Sequence, residues 1–527
     1  MKNRGRSPFL ILLLLIQLIQ VASHAAPGPE EVVVVANLRS PDSLELAHYY
    51  VKKRGIPGNN LILLETPLEE EISNHEFVET IWNPLRKQLL ERGLMDGELL
   101  DRTFYDGREG YKPFGAYFRY LVLCKGIPLK LNNQVIANPQ QMLAIPAMFL
   151  TGKASVDSEL SLIATNNNRQ IGFQTNPLFQ VYEPDPSELY NAISVCRLDG
   201  PTYKTAREII DHSIEGEKTP FLEGRVYIDL YPQNPEGNKW LNNAALLLRS
   251  YGYDVDIEHS SGHWDFPLRN DAPAIYLGWY QNQASGPAVI KHPSMPSGSI
   301  AAHIHSYSAS TLSDPNIGWA GPLINNGVAV TFGNVYEPYL QMTLRPDLFI
   351  ESLLRGHCVG DASIFATPVL SWQNVTIGDP LYVPFSDLSS SDFIETLENT
   401  SIDPYTAIIC INRIYQKDPE LAKDKAIQYF VEHPNVQIAY KIIHDFGDMI
   451  TPIILDSVYD YMCTKQVESE ELVPLYLQVF DMLYNADDDR CTKILELLQF
   501  DIRHWSKPVQ NEIKRQVARF EGRPRKD

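Results

Sequence analysis

The sequence predicts an α/β protein of two doubly wound parallel-sheet subdomains, followed by an all-α C-terminal domain. Three observations predict it. Short continuous runs of β-branched and aliphatic residues, such as EVVVVAN at 31–37, have the character of strands buried on both faces. Between these runs lie helix-length segments that open on capping residues. Past Phe385 the strand runs stop and only helical periodicity remains.

Taken in order, the strand at 31–37 leads through a turn, where Asp42 or Ser43 can cap, into a helix at 44–54 that Gly55-Ile56-Pro57-Gly58 ends. A strand at 60–64, a helix at 75–92 and a strand at 118–125 complete a first strand–helix alternation. The Asn- and Pro-rich stretch 134–188 reads as long loops. A strand at 190–197 and a capped amphipathic helix at 202–214 follow. The rhythm then restarts with strands at 224–229, 254–257, 274–277, 299–304 and 328–333, and helices at 239–251, 318–326 and 347–354. SDLSSS at 386–391 reads as a polar linker, and helical patterns run from 405 to 502. The expected division is a signal peptide at 1–25, a first α/β subdomain at 26–155, a connecting segment at 156–222, a second α/β subdomain at 223–385 and a helical domain at 386–527.

The N-terminal expectation rests on Lys2, Arg4 and Arg6, an apolar run over 9–19, and the small-residue site Ser23-His24-Ala25. That order is the layout of a secretory signal peptide, and the apolar run is too short to span a bilayer. An exported protein, periplasmic or extracellular, is therefore expected, with no transmembrane segment after cleavage. The net charge of −20 argues against nucleic acid as a partner, because a phosphate backbone needs a basic face. Six widely spaced cysteines lack metal-site spacing. Disulfides are permitted in an oxidising compartment, with buried free thiols the blander alternative. No cofactor motif is recognised.

Four segments, in order, resemble the gingipain-type cysteine peptidases and the caspase-like proteins that share their catalytic subdomain: YLVLCKGIP at 120–128, SVDSEL at 155–160, SVCRLDGPT at 194–202 and IGDPLY at 377–382. SVDSEL, GNVYEPY at 333–339 and LSWQ at 370–373 also resemble an uncharacterised family of secreted bacterial proteins found alongside exosortase systems. The first resemblance implies a caspase-like second subdomain, and the second implies a role in the envelope or extracellular matrix.

The first resemblance also implies a His-Gly pair after one strand of that subdomain and a nucleophilic cysteine after the next. Here those positions hold Trp279-Tyr280 and the segment His303–Ser308, which contains no cysteine. Two readings follow. In one, the scaffold is a non-peptidase that binds a peptide, protein or glycan at the strand carboxyl ends, with Trp279, Tyr280, Tyr307, Asn334 and Glu337 as contacts. The helical domain then offers a place for a protein partner. In the other, His303, His305, Ser306 and Ser308 supply a non-standard hydrolase, oriented by Glu337 or Asp379 or completed by His263. Strand alternation places His303 and His305 on one face, which also admits a metal pair. Asp157 and Glu159, two residues apart, are either paired acids or organisers of the loop between subdomains.

Overall fold

The computed structural model describes residues 27–522 apart from 105, 133–145, 167–170, 261–268, 287–288, 290–294, 386–392, 399–401 and 501. The signal-peptide segment, the 386–391 linker and His263 lie outside the described residues. Among those described, no helix is long and apolar enough to cross a membrane. The chain is a mixed α/β protein with two parallel-sheet regions and a helical C-terminal region.

Strand β1 (Val32–Asn37) is buried along its whole length, as its unbroken β-branched run requires. It pairs in parallel with β2 (Leu61–Leu64) on one side and β3 (Tyr120–Cys124) on the other, and β4 (Ser194–Leu198) lies parallel beyond β3. Strands β5 (Arg225–Asp229), β6 (Val255–Glu258), β7 (Pro273–Trp279) and β8 (Ile300–Ile304) form a second, all-parallel sheet in the order β6-β5-β7-β8. The chain then returns to the first sheet with β9 (Thr331–Asn334) and β10 (Asn374–Ile377), giving the order β9-β10-β4-β3-β1-β2. Within it β10 is parallel to β4, whereas β9 is antiparallel to β10. Val330, just before β9, bridges in parallel to Ile300 of β8. The two sheets therefore meet edge to edge, and strand direction reverses between β9 and β10.

Helix boundaries differ from expectation where side chains choose other partners. Helix α1 (Pro41–Arg54) starts earlier than expected because Ser40, not Asp42 or Ser43, caps it, its Oγ accepting the Ser43 N–H at 3.3 Å. Ser43 Oγ instead turns back to accept the Asn37 N–H at 2.9 Å. An unexpected antiparallel hairpin pairs Met95–Thr103 with Glu109–Ala116. Most of its residues are exposed, so neither face carries the apolar alternation by which a strand is recognised. Inside the loop-like stretch, α2 (Val156–Leu160) is a buried helical turn. Its Asp157 binds Arg197 at 2.8 Å, and its Glu159 binds Arg108 at 2.7 Å. These acids are counter-ions of buried arginines, which is the organising role and not a catalytic pair.

Helix α3 (Pro235–Tyr251) packs on the second sheet, and one apolar core runs from Leu241 and Leu248 of this helix into Ile409, Val436 and Phe480 of the helical region. There the helix starts are legible: Asp403, Asp418 and Asn435 each cap a following helix through a side-chain oxygen. A last helix, Lys507–Glu521, was not expected. Polar contacts reinforce the junction. Asp254 accepts from Arg225 at 2.7 Å, Lys441 at 2.8 Å and Asn412 at 2.9 Å. Burial opposes its charge, but the two cations outweigh burial and hold Asp254 well below the usual carboxylate range. All six cysteines are buried free thiols.

Glu223 also lies at this junction, beside the Asp403 carboxylate that caps helix Pro404–Tyr415. Burial first, then the Asp403 charge, raises its pKa from 4.5 to about 7. A raised acid favours the folded state when protonated, so this contribution is full below about 4.5 and lost as pH rises through about 7. Glu223→Gln is expected to raise the thermal midpoint at pH 8, with the gain shrinking toward pH 5. Equal midpoint shifts at both pH values would refute it.

Candidate functional site

The second sheet and β9 all present their carboxyl ends on one side, where open α/β sheets place ligands. There the chain encloses an open cleft of about 210 Å³. Tyr231 follows β5, Trp279 and Tyr280 come from the end of β7, His305 and Ser306 follow β8, and Glu337, Pro338 and Tyr339 follow β9. Aromatic rings dominate. Tyr231 meets Trp279 edge-on at 6.2 Å between centroids and Tyr280 at 5.3 Å, and Trp279 and Tyr280 lie 5.5 Å apart. Tyr280, 47% exposed, also contacts the His305 ring at 4.9 Å.

Trp279 is fixed from below. It is 3% exposed, and its ring packs so tightly on Gly237 of α3 that a Cβ there would sit 2.5 Å from it. Its buried Nε1 has no hydrogen-bond partner among the described residues, a deficit of about 1–3 kcal/mol for a buried donor. Glu337 is exposed, and no ion pair or hydrogen bond engages it among the described residues. No lysine or arginine lines the cleft among them.

The loop after β8 is clipped onto β9. Ser308 Oγ accepts the Asn334 N–H at 3.0 Å, Ala309 N–H donates to Asn334 O at 3.0 Å, and Tyr307 N–H donates to Tyr336 O at 2.8 Å. These bonds hold Tyr307 at φ +61°, while Tyr339 stands at +63°. A left-handed conformation in a bulky residue costs on the order of 1–3 kcal/mol, so Tyr339 in the cleft and Tyr307 in the adjoining loop mark a backbone held by its surroundings.

The structure divides the residues singled out from sequence. Trp279, Tyr280, His305, Ser306 and Glu337 line the cleft. His303 does not: it is 1% exposed and stacked at 3.7 Å on Trp319. Its Nε2 accepts the Gln281 N–H at 2.8 Å, so the proton is on Nδ1, which donates to Tyr276 Oη at 3.1 Å. The Tyr276 hydroxyl in turn donates to Asp229 at 3.2 Å. With both ring nitrogens engaged inside the core, His303 is not available to form a metal pair with His305. The shared-face argument fails because β8 ends at Ile304 and the chain turns, so alternation no longer governs His305. Among the described residues no group of three or more His, Cys, Asp or Glu is placed to hold a metal.

Ser308 is likewise enclosed, 1% exposed beneath Asn334. Buried Asn334 serves as a clamp, its Nδ2 donating to His305 O at 3.3 Å, and does not line the cleft. Tyr307 is exposed but packs edge-on against Tyr336, also outside the lining. Asp379 is buried elsewhere, accepting from the Tyr50 hydroxyl, the Arg54 Nε and the Leu381 N–H, and orients nothing in the cleft. Tyr231 and Tyr339 were missed. Each follows a strand expected from sequence, so the strand-end rule applied to every strand would have found both.

His305 Nδ1 donates to the Ser306 carbonyl, so in the neutral ring Nε2 is the acceptor nitrogen. Ser306 Oγ has no hydrogen bond among the described residues. The cysteines offer no nucleophile: burial raises every one of the six thiols, Cys410 to about 12.

The two serines provide a direct test of this geometry. Ser308→Ala leaves the buried Asn334 N–H without an acceptor and is expected to cost about 1–3 kcal/mol in urea unfolding, whereas Ser306→Ala should stay within about 0.5 kcal/mol. Comparable losses for the two would contradict the placement of Ser308 as a clamp. Compared with protein-family models, with curated proteins and with solved structures, the chain matches none.

Proposed function

We propose that this chain is an exported binding or accessory protein of the bacterial envelope, built on a gingipain/caspase-like scaffold without peptidase chemistry. It holds a peptide, protein or glycan ligand in the cleft at the strand carboxyl ends. One observation carries the reading: where the resemblance expects a His-Gly pair, the strand ends in Trp279 and Tyr280, whose rings join Tyr231 in a contiguous aromatic wall on an open cleft. Aromatic side chains bring large contact areas at small entropic cost, which suits recognition. Six buried thiols with raised pKa values supply no thiolate to attack a peptide bond.

A second reading has its own support. His305 Nε2 and Ser306 Oγ both belong to cleft-lining residues, so a serine hydrolase is the alternative. It lacks a carboxylate bonded to His305, whose Nδ1 is taken by a backbone carbonyl.

The expected outcome is ligand capture on peptide and glycan arrays that Tyr280→Ala abolishes, with no labelling of the purified protein by a fluorophosphonate. Labelling that disappears in Ser306→Ala would replace the binding reading with the hydrolase. Capture that Tyr280→Ala leaves intact would remove the cleft from either.

A further inference from the structure

The identity of the rings and the charge around the cleft narrows the chemistry of its occupant, taking the binding reading above as the starting point. Elsewhere in this chain, aromatic faces are covered by the chain's own cations: Arg108 over Trp82 at 4.2 Å, Arg345 over Trp240 at 4.3 Å, Arg355 over Tyr182 at 4.3 Å and Arg519 over Tyr484 at 4.5 Å. Among the described residues no cation covers Tyr231, Trp279, Tyr280 or Tyr339. Tyr231 and Trp279 meet at an interplanar angle of 82°, and Trp279 and Tyr280 at 63°, so the rings form a corner and not a flat platform.

We propose that this corner is a cage for an organic ammonium group, with Glu337 as its counter-charge. Ring faces carry negative potential and attract a cation within about 6 Å, most strongly for tryptophan and tyrosine. Glu337 is the one charged side chain lining the cleft among the described residues. The surrounding protein, at −20, adds to the field that draws a cation in. At about 210 Å³ the cleft is smaller than the roughly 300–1,000 Å³ typical of drug-sized ligands, which favours a head group over a large ring system. Choline-type compounds combine these features.

Titration calorimetry of the purified chain at low ionic strength with choline, and with its uncharged isostere 3,3-dimethylbutan-1-ol, tests the proposal. Choline is expected to bind about 5- to 30-fold more tightly than the isostere. Tyr280→Ala and Tyr231→Ala should abolish the difference, Glu337→Gln should reduce it several-fold, and Tyr117→Ala, on an exposed ring outside the cleft, should leave it unchanged. Phosphatidylcholine vesicles run in parallel distinguish a lipid head group from a free cation: co-sedimentation competed by choline assigns the lipid, and its absence assigns the free compound. Equal binding of choline and isostere, both dependent on Tyr280, would overturn the cation while preserving the cleft as a binding site. Absence of choline binding would overturn the ammonium cage, and array capture dependent on Tyr280 would then still support the broader reading. Choline binding that survives both tyrosine substitutions would overturn the cage as its location.

Discussion

The cleft depends on one short strand serving two sheets. Thr331–Asn334 is antiparallel to Asn374–Ile377 in the first sheet, while Val330 just before it bridges in parallel to Ile300 of the second. This arrangement brings the carboxyl end of β9 onto the same side as those of β7 and β8, so Glu337 and Tyr339 line one cleft with Tyr280. Asn334 then ties the loop after β8 to the strand through its main chain and its side chain. A register slip here would carry Ser308 and the aromatic loop with it, because every bond of the clip is to a specific residue.

Charge is handled differently in the core and at the cleft. Arg197 with Asp157 and Arg108 with Glu159 are buried ion pairs, and buried Arg225 and Lys441 share the half-buried Asp254 as counter-ion. Such pairs contribute little net stability over an apolar replacement, but removing one partner costs several kcal/mol, about 3–5, because the other charge remains buried. They are thereby fixed. Glu337 faces water, with no ion pair or hydrogen bond to it among the described residues. An exposed unpaired carboxylate beside bare rings is consistent with a surface that exchanges water for something else.

Much of the α/β part was legible because a strand buried on both faces leaves an unbroken apolar run, as 32–37 and 273–279 do. The hairpin at 95–116 was not legible, since its exposed faces leave no pattern. Nor does local sequence reveal which sheet a strand joins: Ser194–Leu198 and Asn374–Ile377 complete a sheet begun more than a hundred residues before the latter. At the site, Trp279, Tyr280 and Glu337 were reachable by locating strand ends. His303 and Ser308 leave the cleft for different reasons: His303 is within the strand but turns its ring into the core against Trp319, and Ser308 lies past the strand end at Ile304, where alternation stops and the loop ties it to Asn334.

Helix Pro235–Tyr251 gives the cleft a mechanical connection. At one end Asn234 lines the cleft, and Gly237 lies against the Trp279 ring. At the other, the Gly252 carbonyl accepts the Asn412 side-chain amide, and the Ser250 carbonyl accepts from Arg413. Seventeen residues of helix make a strut about 25 Å long. Such a rod resists bending and compression far more than a loop does. The aromatic corner and the helical region are therefore braced to one another, and neither end can be displaced as a body without loading the other.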